Sequence, residues 1–577
     1  MKKVCKSLIF LSVLPLISCS LPKIETVKVV IEDGDFKCAK NIITQEKGTD
    51  FTFQITLNIN QTILDSTYKN FSITEELYEN SKIRIENITF HEVSYSTLVT
   101  LTIGEVAKIR YQNELDYFDE YISKNHNRIN TSIDFGKFDK EGYALVGWKN
   151  GDEIISLGSR VTPKENLILE PLYMIEDSKS DYEYKIDGNR VTITKYKGNS
   201  DIIVIPSIIE GKNVTTINTD AFKDLNINTF VLPKTLGIIA NSGITNCQIE
   251  TLIFYDNLVE VNDNSFNGSK IKNIRINSLN NPSFIRSYFG TYSDKVDRLI
   301  ELKDKKKIIL YSGSSTRFGY DSKYIDDMFL DYEVANLGVF AYTNSLPQIE
   351  VISHFINEGD ILVVSPEFDS LDKQIDLKYE FDEAFFAMIE ANYDILKYLD
   401  CSKNVGFFDS YAKYQYNRRN LEKYNYSETP SNYDEDQRRV NSPSYNKYGD
   451  YVVYRENNVE GKFFGVKRAF YNKIYFPIES INSFNNAFEP IKSKNVKIYF
   501  DYSPRMNKSI SEDSNVDSIV ELGKYLETNI KMEFLGPIQK SLMDPLYFHG
   551  TDNHLSTEGV KIRTEEFVSN LLLATQN

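Results

Sequence analysis

The run Lys307-Ile308-Ile309-Leu310-Tyr311-Ser312-Gly313-Ser314-Ser315-Thr316-Arg317-Phe318-Gly319 decides the fold. An apolar stretch that stops at Ser and Gly reads as a buried strand feeding a turn into a helix. Comparable runs occur at Ile361-Leu362-Val363-Val364, Val496-Lys497-Ile498-Tyr499-Phe500 and Met532-Glu533-Phe534-Leu535. Helical patterns lie between them, over 345–357, 382–399, 479–492 and 515–528. Apolar strands alternating with helices predict a parallel sheet covered on both faces. In such sheets, sites collect at the carboxyl ends of the strands. A Ser on the first strand-to-helix turn would stand exposed there, with amides beside it to hold a negative oxygen.

The other end of the chain carries Gly550-Thr551-Asp552-Asn553-His554-Leu555-Ser556-Thr557-Glu558-Gly559, which opens the terminal helix. Asn336-Leu337-Gly338 stands between the two blocks. Together, over residues 282–577, they resemble the SGNH (GDSL-like) hydrolase superfamily, an α/β three-layer fold with a parallel sheet. His-Leu-Ser-x-x-Gly is a form of the last block met in envelope-polysaccharide acetylation proteins. The resemblance implies Ser314 as nucleophile, His554 as the base that takes and returns its proton, and Asp552 as the group that orients the imidazole. It also implies the amides of Ser314 and Gly338 as oxyanion donors.

Two positions depart from the family pattern. Its acid sits three residues before the His, where Thr551 stands here, and Asp552 is only two before. Its third block offers an Asn as oxyanion donor, whereas the matching strand here ends Ser365-Pro366-Glu367-Phe368. An ionised Glu367 cannot donate and would oppose an oxyanion, and losing one donor costs ~10²–10³ in rate. Ser315 is the alternative nucleophile if the register is off by one. His549, Asp552 and His554 could be read as metal ligands, but five histidines in the chain and no evident further ligand argue against it. No metal or cofactor is expected. The segment 402–477, rich in Tyr and Asn, interrupts the α/β pattern and reads as an insertion or lid.

Upstream, residues 182–277 repeat with a period of 22. Ile227, Ile249 and Ile271 keep that spacing, as do Phe230, Leu252 and Ile274, and Leu232, Phe254 and Ile276. Ile217, Ile239 and Val261 form a further column, and Phe222, Ile244 and Phe266 complete the frame. About three and a half such units make a short solenoid, since one unit cannot bury its apolar face alone. The array resembles bacterial-surface leucine-rich repeats, which implies a rigid spacer or a small binding face for a host or envelope protein. Residues 104–174 carry Phe135, Phe138, Gly142-Tyr143, Gly147-Trp148 and Leu167-Ile168-Leu169-Glu170-Pro171-Leu172-Tyr173. These resemble the Listeria–Bacteroides surface repeat, a β-grasp-like module, with Trp148 read as a core anchor. Period-two patterns over 26–103 predict a β-rich module across 19–103.

The first residues combine Lys2, Lys3 and Lys6 with an apolar stretch from Leu8 to Ile17. About ten residues are too few to cross a bilayer core, which needs ~20, and fit an export signal over 1–18. Leu16-Ile17-Ser18-Cys19 resembles a bacterial lipobox, which implies a lipid anchor at Cys19 and a place on the cell surface or the outer face of the cytoplasmic membrane. A plain secreted protein is the other reading. A net charge of −16 excludes a nucleic-acid partner. Cys38, Cys247 and Cys401, odd in number and scattered, read as buried thiols. The expectation for the whole is a surface lipoprotein whose last domain removes acetyl groups from, or transfers them to, glycans such as acetylated polysaccharides. The alternative is a non-catalytic adhesion or scaffolding protein with a degenerate SGNH domain.

Overall fold

A computed structural model describes residues 25–576, except 35, 59, 78–82, 114–116, 124–128, 131–134, 162–165, 280–288, 404, 420–444 and 463–468. Cys19 therefore lies outside the described residues. The chain forms two compact units, one of residues 1–107 with 123–125 and one of 108–122 with 126–577.

In the first unit, alternation of apolar and polar residues makes two sheets. One runs Lys37–Cys38, Thr49–Asn58, Ile83–Val93, Phe71–Leu77, antiparallel throughout. The other places Thr26–Ile31 between Ile42–Glu46 and Thr97–Val99. Val29, Phe51, Phe53, Ile55, Ile88 and Phe90 fill the core.

Ahead of the solenoid, the second unit contains strands Tyr143–Asn150, Glu153–Ile155 and Leu167–Ile175. Trp148 is fully buried against Tyr111 and Phe138, ring centroids 5.1 and 5.0 Å away. A solenoid follows. Ile202–Val204, Asn226–Val231, Gln248–Tyr255 and Lys270–Asn277 stack in parallel, so that Ile227, Ile249 and Ile271 face one another, as do Phe230, Leu252 and Ile274. Both faces of this sheet are covered. Val204, Val231 and Ile253 pack on Ala144 and Val146, while Phe230, Leu252 and Ile274 enter a core that continues into the C-terminal domain.

In that domain the strands β1 (Lys307–Tyr311), β2 (Glu333–Asn336), β3 (Ile361–Val364), β4 (Lys497–Phe500) and β5 (Glu533–Phe534) form one parallel sheet in the order β2-β1-β3-β4-β5. Strand alternation divides its side chains. Ile309, Tyr311, Leu362 and Val364 pack with helices α1 (Thr291–Glu301), α3 (Ser345–Phe355) and α5 (Ile478–Lys492). Ile308, Leu310, Ile361 and Val363 pack with α7 (Thr557–Gln576) through Phe567, Val568 and Leu571. The single helix predicted over 382–399 is two pieces, Glu383–Ile389 and a tight 3₁₀ turn Tyr393–Tyr398, because the chain bends at Asn392 to lie along the last solenoid strand.

The solenoid and the α/β domain share one hydrophobic core. Helix α4 (Phe407–Arg419), from the expected insertion, seals the join: Phe408 stacks on Phe266 at 4.1 Å and Tyr411 meets Phe254 at 5.3 Å. The Asp263 carboxylate accepts the amides of Gly406 and Phe408 at 2.7 and 2.9 Å. Deleting a buried aromatic costs about 3–5 kcal/mol. Phe408→Ala should lower the urea midpoint of the larger unit by that free energy, with solenoid and α/β domain still unfolding in one step. Amide hydrogen exchange on both parts checks it, and protection lost from only one of them would refute the shared core.

Candidate active site

At the carboxyl end of β1 the chain turns through Ser312 and Gly313 into the single-turn helix α2 of the site, Ser314–Arg317. A methyl group at Gly313 would come within 2.4 Å of both Ala341 Cβ and Glu367 Oε1, so only glycine fits where the loops after β1, β2 and β3 converge. Gly338 supports the turn from below: a Cβ there would lie 2.4 Å from the Arg317 amide.

The His-bearing turn is a short hairpin. Phe548 pairs with Leu555, the His549 amide donates to the His554 carbonyl at 3.0 Å, and Gly550 at φ +67° makes the reversal. Thr551 fixes its tip, its hydroxyl accepting the His554 amide at 2.9 Å and donating to Asn553 Oδ1 at 3.0 Å.

The two turns bring Ser314 Oγ to 2.9 Å from His554 Nε2. Ser315 is fully buried and its amide is bound to Glu367, so of the two serines Ser314 is the one that meets the imidazole. Burial first, then the positive charges of Arg455, Arg317 and Arg505, push His554 down to about 3. The imidazole is therefore neutral, as a base must be. Phe318 packs on its ring at a centroid distance of 4.2 Å.

Two expected roles are not met. Asp552 does not orient the imidazole: its Oδ2 lies 3.1 Å from Arg505 Nη1, and Arg505 Nη2 lies 3.1 Å from Asp369. Thr551 holds the turn so that the Asp552 carboxylate faces this cation. Among the described residues His554 Nδ1 has no hydrogen-bond partner. Gly338 does not offer its amide either, because that N–H donates to Asn336 Oδ1 at 2.9 Å. The amides of Ser314 and Ala341 have no acceptor among the described residues, and Ala341 is buried against Gly313. Sequence reasoning missed Ala341, whose position depends on Gln374 Nε2 holding its carbonyl at 3.2 Å.

Glu367 does not oppose an oxyanion in the way its charge suggested. Oε1 accepts the Ser315 amide at 2.8 Å and Oε2 accepts Asn553 Nδ2 at 2.9 Å. Burial, and then the nearby Asp369, push its carboxyl up to about 7.

The described part of the insertion beside the site is a strap, residues 445–455, fixed by buried polar contacts. Asp450 accepts from Ser322, Asn336 and Asn446, and Lys295 Nζ donates to the carbonyls of Asn336 and Gly449 at 2.7 Å. Arg455 ties the strap to the His hairpin, Nε donating to the Leu555 carbonyl at 2.7 Å. Among the described residues the Arg455 guanidinium has only carbonyl partners and the rings of Phe318 and Tyr451.

Residues 201–298 match the BspA type leucine rich repeat region, in six copies. The match covers the stacked strands and runs into α1, and is consistent with a surface or adhesion role. No curated protein matches the sequence.

The surroundings of His554 make a direct prediction. With ¹³C-labelled histidine in the full chain, the His554 Cε1 resonance should keep its neutral-imidazole position as pH falls through 6.5 and move only as pH approaches about 3. A midpoint near 6.5 would show that the three arginines and burial do not act on it.

Proposed function

We propose that the C-terminal domain is an SGNH-type serine hydrolase or acyltransferase, acting on acetyl esters of glycans at the cell surface. Lipidation at Cys19 would hold it there. The observation that carries the reading is the 2.9 Å contact between Ser314 Oγ and a neutral His554 Nε2. Their place at the carboxyl end of β1, where the sheet order reverses between β1 and β3, supports it.

In this reaction Ser314 Oγ attacks the acetyl carbon while its proton passes to His554 Nε2. The carbonyl oxygen becomes negative beside the amides of Ser314 and Ala341. The C–O bond to the sugar then breaks and His554 returns the proton to the departing oxygen, which leaves acetyl-Ser314. Water or a second sugar hydroxyl gives its proton to His554 and attacks the acyl carbon; the bond from that carbon to Ser314 Oγ breaks and His554 passes the proton to Ser314. The positive field that makes His554 a weak base also favours the oxyanion, so the same arginines oppose one half of the step and assist the other.

A second reading, a non-catalytic surface scaffold, has one observation in its favour: the carboxylate expected behind His554 is bound to Arg505. Turnover separates the two. The chain should hydrolyse an acetyl ester such as p-nitrophenyl acetate and yield an acetyl-Ser314 peptide by mass spectrometry. Ser314→Ala should abolish both, and His554→Ala should lower turnover by ~10²–10⁴-fold. No turnover and no adduct in the wild type would favour the scaffold.

A further inference from the structure

Ser314 and His554 come from turns 240 residues apart in sequence, so something must set the gap between them. Arg455 bridges it from the side, between the Phe318 and Leu555 carbonyls, and Glu367 and Asn553 span it beside the two reacting side chains. Glu367, on the loop after β3, is 1% exposed, and Asn553 is 8% exposed. One carboxylate oxygen binds the Ser315 amide, one residue from the nucleophile, and the other binds Asn553 Nδ2, one residue from the base. Asn553 Nδ2 also reaches Ser315 Oγ at 3.2 Å, and Asn553 Oδ1 is held by the Thr551 hydroxyl that accepts the His554 amide. At pH 8, above the value of about 7 to which burial pushes it, Glu367 accepts from both neighbours, and Asn553 turns its donor to Glu367 and its acceptor to Thr551.

We propose that Glu367 and Asn553 form a clamp that positions the Ser314 turn against the His554 turn, touching neither reacting atom. The clamp rests on the Ser–His reading above and deepens it. It gives the residue standing in place of the family's oxyanion Asn a different task. Charged groups face Glu367 from two sides: Asp369 on its own loop, and Arg505, which it shares with Asp369 and Asp552. The Ser315 and Asn553 turns contribute neutral donors.

The test exchanges the two groups. In Asn553→Asp, two carboxylates meet where a donor met an acceptor. Adding Glu367→Gln restores the bond between the two positions with its direction reversed. The amide introduced at position 367 donates through its nitrogen to the carboxylate introduced at 553, while its oxygen still accepts the Ser315 amide. That carboxylate in turn accepts the hydroxyls of Thr551 and Ser315. With an acetyl ester at pH 8, Asn553→Asp should lose about 10–100-fold in kcat with little change in KM, as misplacement near 1 Å does. The double variant should recover to within about 3-fold of wild type. A double variant no better than Asn553→Asp, or a single variant with full kcat, overturns the clamp. If Asn553→Asp does not fold, Glu367→Gln alone against the double variant gives the same comparison.

If the wild type shows no turnover, the catalytic reading falls and crystal structures judge the clamp. Ser314 Oγ and His554 Nε2 should separate beyond hydrogen-bond reach in the single variant and rejoin in the double. An unchanged distance in the single variant overturns it.

Discussion

Burial of β1 on both faces is the constraint on which the rest depends. All five of its residues are buried, including Lys307, which meets Asp360 at 2.6 Å with both side chains sealed from water. Ile308 and Leu310 point to α7, and Ile309 and Tyr311 point to the core shared with the solenoid. A one-residue slip would exchange these two sets and put Lys307 into hydrocarbon. The strand therefore has one register, and Ser312, Gly313 and Ser314 have one place at its end. The loops after β2 and β3 meet that place because β2 and β3 are its hydrogen-bonded neighbours.

Polar groups packed there without water must find partners within the protein. Arg505 illustrates the cost of failing: it is 2% exposed and lies between Asp369 and Asp552 at 3.1 Å from each. The three charges stand close but are poorly aligned for hydrogen bonds, so their attraction is mainly coulombic. Removing one member of such a group typically costs about 3–5 kcal/mol. Asp552 is thereby committed to stability, and among the described residues the His554 imidazole has no carboxylate behind it. What the imidazole has instead is a fixed turn, a ring of Phe318 against one face and a positive field.

The sequence was legible wherever local pattern and burial agree. Near-continuous apolar runs located β1, β3, β4 and β5, and the 22-residue columns gave the solenoid register residue by residue. Ser314 and His554 were singled out by block order, and the fold brings their side chains to 2.9 Å. Their partners were not, for a physical reason in each case. Asp552 stands close to His554 in sequence, but the Thr551 hydroxyl turns the backbone and sends the carboxylate to Arg505, a residue 47 positions away. Gly338 looked like a donor because it is a glycine after β2, yet it is glycine so that the nucleophile turn can rest on it. Asn553 sat unread between two more familiar residues.

The solenoid changes what the insertion means. A leucine-rich array read alone is a surface waiting for a partner. Here its sheet is covered by Ala144 and Val146 on one side and by the shared core on the other, and its last strand lies along the Tyr393–Tyr398 turn. The insertion supplies α4 to this join and, further along the chain, the strap whose Arg455 holds the His hairpin. One excursion of chain thus bonds to the repeats near its start and to the His554 hairpin near its end. The array is then structural support for the α/β domain as much as a spacer. The α/β domain thereby covers the strand that a further repeat would otherwise have capped.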